Sequence, residues 1–384
     1  MLESLDGDAL VDDAVSDAAL VRAMLDVEAG LARALERVGL AATGSGDALT
    51  SAFAELDIDP ADLGRRAVSA GNPVVPLLED MLAAVPDDGR DAVHLGATSQ
   101  DVLDSALMLC ARRALEPMQQ SLLRACQDAA RLAAEHRSTP MLGRTLGQPA
   151  LPTTFGLKAA GWLAGLEEAR SRLAGVELAV QLGGAAGTLA AYGDHGLDVV
   201  RLLADETGLA DPGVPWHTER SRVHALAAAL AAVTLAAGKV ATDVLLMTQA
   251  EVAEVAEGSP GGSSAMPHKR NPVASVLLVS AARRAPALVG AVLSAGLHEH
   301  ERATGSWHAE WVPLRDVLRL AGGAAARVAD LLSELQVDAD ALRRNLDAAG
   351  TDVLAGAPLE AHLGSAAAIV DRTLSASRAV ETRP

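Results

Sequence analysis

The chain has 384 residues, with 32 Lys plus Arg against 50 Asp plus Glu, a formal net charge of −18. Half of its residues are hydrophobic, which excludes a disordered chain, whereas only 2% are aromatic. An acidic chain poor in stacking rings is a poor nucleic-acid binder, and a core of Ala, Leu and Val favours helices over sheets.

The N-terminal stretch MLESLDGDALVDD is acidic and lacks the basic start and apolar run of a signal peptide. Leu20, Met24, Val27, Leu31, Leu35 and Val38 then recur in steps of three or four, predicting a helix with Ser16 as N-cap and Gly39 as its stop. Shorter helical pieces follow to about Pro86. From Ser99 onward long Ala-rich helices are predicted over 99–136, with Pro117 as a kink, and over 153–180, 222–257, 272–297 and 312–335. A helix over 222–257 would be about 54 Å long, too long for a small domain and suited to an elongated bundle. No alternating strand pattern or tandem repeat is visible. Loops are predicted at 137–152, 183–188, 211–221, 258–272 and 298–311, and the unusual residues gather there, where function is expected. The division predicted is a small helical domain at 1–93, a long-helix bundle at 94–348 and a shortened helical segment at 349–384.

Cys110 and Cys126 both lie in helical patterns and read as buried small hydrophobes in a reducing compartment. The uncharged run 225–238 is shorter than a bilayer span, so a soluble cytoplasmic protein without membrane contact is expected.

The most distinctive stretch is Gly261-Gly262-Ser263-Ser264-Ala265-Met266-Pro267-His268-Lys269-Arg270-Asn271-Pro272. A Gly-led loop pinned by two prolines carries hydroxyls, cations and an amide, donors that suit a carboxylate. Such a basic island is unexpected on composition in so acidic a chain. A second block is His94-Leu95-Gly96-Ala97-Thr98-Ser99-Gln100-Asp101, with Thr98 and Ser99 at a helix start, where free N–H groups favour an anion. A third is Arg144-Thr145-Leu146-Gly147-Gln148-Pro149-Ala150-Leu151-Pro152.

The first stretch resembles the signature loop of the fumarase/aspartase (adenylosuccinate lyase) superfamily, and the other blocks resemble its carboxylate-binding segments in matching order over about residues 10–350. The resemblance implies an all-α fold and a homotetramer with a twenty-helix core, sites shared between subunits, and no cofactor or metal. It implies Ser263 as the base that removes a proton next to a carboxylate, with Lys269 stabilising the aci-carboxylate. His94, Thr98, Ser99, Thr145, Gln148, Ser264, Met266 and Asn271 would bind a small polycarboxylate substrate. Where the superfamily usually carries a proton-transferring His, this chain has Leu146. A carboxylate leaving group, with pKa near ~4, departs without protonation, whereas an amine or hydroxide does not. The cycloisomerase branch acting on 3-carboxy-cis,cis-muconate is similar in lacking that His. It usually carries Trp there and commonly His at the position of Pro149.

Three further stretches are similar to that branch: 69–77, 214–220 and 300–311. Three of the four tryptophans lie in the last two and are expected to wall the pocket. Arg302 is expected to pair with a third substrate carboxylate, and His217 and His300 are either substrate ligands or structural. The turn at 183–188 lacks the Lys-Ser/Thr of a phosphate loop, and His298-Glu299-His300-Glu301 is a weak metal pattern, because i and i+2 side chains diverge. Near the C-terminus, Asn345-Leu346-Asp347 runs through Leu354-Ala355-Gly356 almost directly into His362-Leu363-Gly364-Ser365-Ala366-Ala367, which looks like the family's penultimate segment joined to its last helix, with most of a third domain missing. Apart from the cycloisomerase, two readings stay open: another lyase of the superfamily that releases fumarate, and a silent homologue.

Overall fold

The computed structural model describes residues 5–87, 89–350 and 357–381. Five long helices form the bundle: α6 (Ser99–Glu135), α7 (Phe155–Ala174), α9 (Ser221–Met247), α10 (Val273–Ser294) and α11 (Ser306–Ser333). Packing of α9 against α7, α10 and α11, and of α6 against α7 and α11, makes one continuous core. Fully buried alanines such as Ala106, Ala237 and Ala321 let the axes approach closely. At 37 residues α6 is about 55 Å long, and Pro117 is accommodated inside it.

The N-terminal elements are α1 (Ala9–Ala14), α2 (Asp17–Arg37), α3 (Ser45–Ala54), α4 (Pro60–Ala70) and α5 (Val74–Ala84). Ser16 caps α2 through its Oγ, as the spacing predicts, and the buried stripe of α2 seats on α6 and on α8 (Gly196–Thr207). At the other end of the chain come α12 (Ala339–Ala348), α13 (Leu359–Leu363) and α14 (Ala366–Glu381), which rests on α7 and α6. The junction expected around Leu354–Gly356 lies outside the described residues.

Four differences from the sequence expectation bear on the site. The segment 137–152, expected as a loop, contains an antiparallel hairpin of β1 (Pro140–Thr145) and β2 (Gln148–Thr154). Its prolines and Gly143 mask the alternation that announces strands. The helix expected over 222–257 ends at Met247; the chain then turns through Ala253, which has a left-handed φ of 47°, into the two-residue strand β3 (Val255–Ala256) beside β4 (Gln336–Val337). α11 starts at Ser306 instead of 312, because Trp307 and Glu310 on its first turns are bound to buried partners. Trp216 and Trp307 are buried framework residues instead of pocket wall, and Trp311 is half-buried.

Cys110 and Cys126 are buried free thiols, and burial pushes Cys110 up to about 11. Helices α9 and α10 are long and apolar enough to cross a membrane, but α9 is the packed centre of the bundle.

Candidate active site

The conspicuous residues form two groups at opposite ends of α9. The first group surrounds the start of α6. Asp101, three residues after Thr98, reaches back to the Thr98 N–H at 3.0 Å. Its two oxygens also accept from the N–H groups of Gly183 and Gly184, each at 2.9 Å, and contact His217 Nε2 at 2.6 Å. The glycine-rich turn therefore cradles an anion, but the anion is the protein's own carboxylate. His217 is buried in this structural role, whereas His300 is exposed with φ 47°.

Beneath it lies a charge network. Arg220 donates to Asp104 (2.7 and 3.1 Å) and to Glu310 (2.7 Å), with all three side chains almost completely buried. Burial disfavours the Arg220 charge, yet Asp104 and then Glu310 more than offset it and hold the guanidinium well above its ordinary value. Trp307 Nε1 donates to Asp104 at 2.9 Å, and Trp216 stacks on the guanidinium at 4.8 Å. His298 Nε2 lies 3.1 Å from Glu310, so it turns inward while His300 stays outside. Gln100 joins this network to Arg302, donating to Asp104 and accepting from Arg302 Nη1 at 3.2 Å. Arg302 otherwise donates to the carbonyls of Gly184 and Ala185. Its partners are neutral, so its positive charge is not matched by a carboxylate among the described residues.

His94 stands at the edge of this group with φ 55°, its backbone N–H and Nδ1 both bound to Glu28. Gly96 follows with φ 74°; a Cβ there would lie 2.5 Å from the Tyr192 ring, so only glycine fits. His94, Thr98, Ser99 and Arg302 are thus brought together at this end.

The second group lies at the far end of α9, which at 27 residues is about 40 Å long. Thr145 and Gln148 face each other across the hairpin tip, and Leu146-Gly147 between them both have positive φ (53° and 77°), a tight two-residue turn. Leu146 is fully exposed in a conformation that disfavours a branched side chain. Glu254, completely buried, anchors the hairpin: Arg144 binds it with both Nη atoms (3.0 and 2.7 Å) and Asn345 adds 2.9 Å. Glu257 accepts from Ser275 N (2.9 Å), Ser275 Oγ (2.7 Å) and Ala274 N (3.2 Å), capping α10 where Pro272 offers no side-chain cap.

Between Glu257 and α10 runs the loop 261–271. Its ends are zipped by paired backbone bonds of Gly261 and Asn271, and the Asn271 amide donates to Gly262 O at 2.8 Å. Ser263 Oγ accepts from Met266 N at 3.1 Å and Ala265 N at 3.4 Å, donors that favour an oxyanion there. Ser264, Met266 and Lys269 are exposed, and the Lys269 side chain has no partner among the described residues. A cavity of about 680 Å³ opens behind the loop, bounded by Arg270, Asn271, Glu257 and the start of α12.

One chain therefore does not bring all the candidate residues together. Of the carboxylates that set the geometry (Glu28, Asp101, Asp104, Glu254, Glu257 and Glu310), all but Asp101 are indistinguishable in the sequence from ordinary acidic residues. Only Asp101 carried a local signal, its capping spacing from Thr98.

A lyase family model matches residues 16–287. Nitrosuccinate lyase of Streptomyces davaonensis is 45% identical over 360 residues, covering 90% of this chain and 76% of the relative. The 3-carboxy-cis,cis-muconate cycloisomerase of Pseudomonas aeruginosa is 45% identical over 341 residues, covering 86% and 74%. The crystal structure of 3-carboxy-cis,cis-muconate lactonizing enzyme from Pseudomonas putida superposes with a TM-score of 0.88 at 33% identity, covering 98% of each chain. Shared sequence, helical architecture and signature loop agree: the chain belongs to the fumarase/aspartase superfamily of lyases.

Proposed function

We propose that the protein is a cofactor-independent cytoplasmic cycloisomerase that interconverts 3-carboxy-cis,cis-muconate and 4-carboxymuconolactone in the breakdown of protocatechuate. The observation that carries this is the hairpin tip, where the superfamily's usual proton-transferring His is replaced by Leu146. A reaction at such a tip needs an internal nucleophile, or in reverse a leaving group, that is a stable anion unaided; a carboxylate meets that need. The cycloisomerase relatives and the lactonizing-enzyme fold support the same choice.

In lactonisation a substrate carboxylate oxygen bonds to the distal alkene carbon, and the π electrons move onto the carbon next to another carboxylate. The aci-carboxylate so formed takes its proton from the Ser263 hydroxyl; in reverse the Ser263 alkoxide removes it. The N–H groups of Met266 and Ala265 stabilise that alkoxide, and Lys269 offsets the dianion. Thr98, Ser99, Gln148, Asn271 and Arg302 hold carboxylates. Asn271 must exchange its bond to Gly262 to do so, which fits a loop that rearranges on substrate binding. Because the chain carries −18, the local cations Lys269, Arg270 and Arg302 must overcome the overall repulsion of a tricarboxylate.

The two groups lie at opposite ends of α9, a helix about 40 Å long, which supports a site completed by other copies of the chain. The apolar outer face of α10, with Val276 and Leu293 exposed, suits a homotetramer. Two individually impaired variants, H94A in carboxylate binding and S263A in proton transfer, are expected to give higher activity at subsaturating substrate when their subunits are unfolded and reassembled together than either gives alone. Mixed tetramers without any such gain would show that each chain works alone.

A second reading is favoured by Leu146 being smaller than Trp and by the nitrosuccinate lyase relative. Elimination from nitrosuccinate expels nitrite, another weakly basic anion, leaving fumarate. Purified protein supplied separately with carboxymuconate, nitrosuccinate and adenylosuccinate distinguishes these. Loss of muconate ultraviolet absorbance is expected; nitrite release, fumarate release from adenylosuccinate, or no turnover would each replace the proposal.

A further inference from the structure

Glu28 lies on α2, 66 residues from His94, and its carboxylate is completely buried. Both oxygens are given to one residue: Oε2 accepts the His94 backbone N–H at 3.0 Å and Oε1 meets Nδ1 at 2.6 Å. This bidentate clamp holds His94 in a left-handed conformation that a histidine does not adopt without cost. Its imidazole keeps 17% of its surface, and Nε2 has no hydrogen-bond partner among the described residues. The ring is therefore fixed at one nitrogen and open at the other, in the turn that leads through Ala97 into Thr98 and Ser99 at the start of α6.

We propose that Glu28 is a positioning residue for substrate recognition: it locks His94 as a donor whose Nε2–H grips a substrate carboxylate. This rests on the polycarboxylate reading of the site above. Glu28 keeps a proton on Nδ1, so a second proton on Nε2 makes the ring a cation whose charge is balanced from behind. Burial opposes that charge, but the hydrogen bond and field of Glu28, with Asp101, more than offset it, and His94 is raised above its ordinary value. The other groups near the ring are Asp101 on α6, which is bound to His217, and Tyr192. The Tyr192 hydroxyl is buried without a partner, and burial, Asp101 and Glu28 keep it neutral. Rising pH through the raised His94 value removes the Nε2 proton, so carboxylate affinity must fall along that limb.

The test uses the assembled full chain and propane-1,2,3-tricarboxylate, an unreactive probe, with calorimetry across pH and NMR titration of the His94 ring. In E28Q the ring is expected to titrate at lower pH, and affinity near neutral pH to fall about tenfold to a hundredfold, with recovery in E28D. H94Q should lose the same affinity together with its pH dependence, and E28Q/H94Q should be no weaker than H94Q. An unshifted ring titration in E28Q, or additive losses in the double variant, would overturn the proposal. If E28Q does not fold, H94Q decides: pH-dependent affinity equal to wild type overturns it. Wild type that binds the probe but turns over no muconate refutes the cycloisomerase reading and leaves the Glu28–His94 pair standing.

Discussion

Replacing Ser263 with Ala is expected to lower kcat about 100- to 10,000-fold, the range for losing a positioned general acid–base. A serine hydroxyl is a very weak acid, so the loop must make its alkoxide accessible. The Met266 and Ala265 N–H groups do part of this, because hydrogen bonds to the charged form favour it. Neither donor is lost in S263A, and the side chain is only partly covered, so the helical circular dichroism and melting temperature should stay close to wild type. Ser264, exposed and without these donors, should tolerate Ala with a much smaller loss. Muconate consumption measured in parallel for the two variants decides which hydroxyl is the base; a fully active S263A would remove Ser263 from that role.

Arg220→Met is expected to destabilise the fold by about 3–5 kcal/mol, the cost of leaving buried charge without its partner. Asp104 and Glu310 converge on this guanidinium from α6 and α11, and both are shut off from water. Removing the cation leaves two carboxylates facing one another, helped only by Gln100, Trp307 and His298. Arg220→Lys should rescue little, because one ammonium cannot donate in the plane to both carboxylates as the guanidinium does. Urea unfolding of the variants, with binding of a tricarboxylate as second readout, checks this. A stability loss below about 1 kcal/mol, the typical worth of an exposed pair, would show that water reaches the network. Through Gln100 the same variant should also loosen Arg302 and weaken carboxylate binding.

The candidate site was legible wherever its residues announce themselves locally. The run from Gly261 to Pro272 combines glycines, hydroxyls and cations that no ordinary turn requires, and it does form a loop zipped at Gly261 and Asn271. Thr98 before Asp101 states a helix start, and α6 begins at Ser99. Prediction failed where non-local partners override local preference. Nothing around Trp216 and Trp307 signals that Val180 O and Asp104 receive their indole N–H groups, so charged neighbours suggested a pocket wall. The hairpin at 140–154 is hidden in the sequence because its prolines and glycine resemble a loop, and its position depends on Glu254, some 110 residues from Arg144.

By itself, the sequence determined the helical class, through its Ala, Leu and Val content and its three-to-four-residue apolar spacing, and the chemical character of the three blocks. It also determined the absence of a proton-transferring side chain at position 146. Only the tertiary structure decided where these blocks stand. The rigid length of α9 keeps the His94–Arg302 group away from the hairpin and the Ser263 loop, because a helix cannot fold back on itself. Tertiary structure also decided which carboxylates hold the site. Glu28 meets His94, and Asp104 meets Arg220, only once separate helices pack, and burial then turns ordinary acidic residues into fixed anchors.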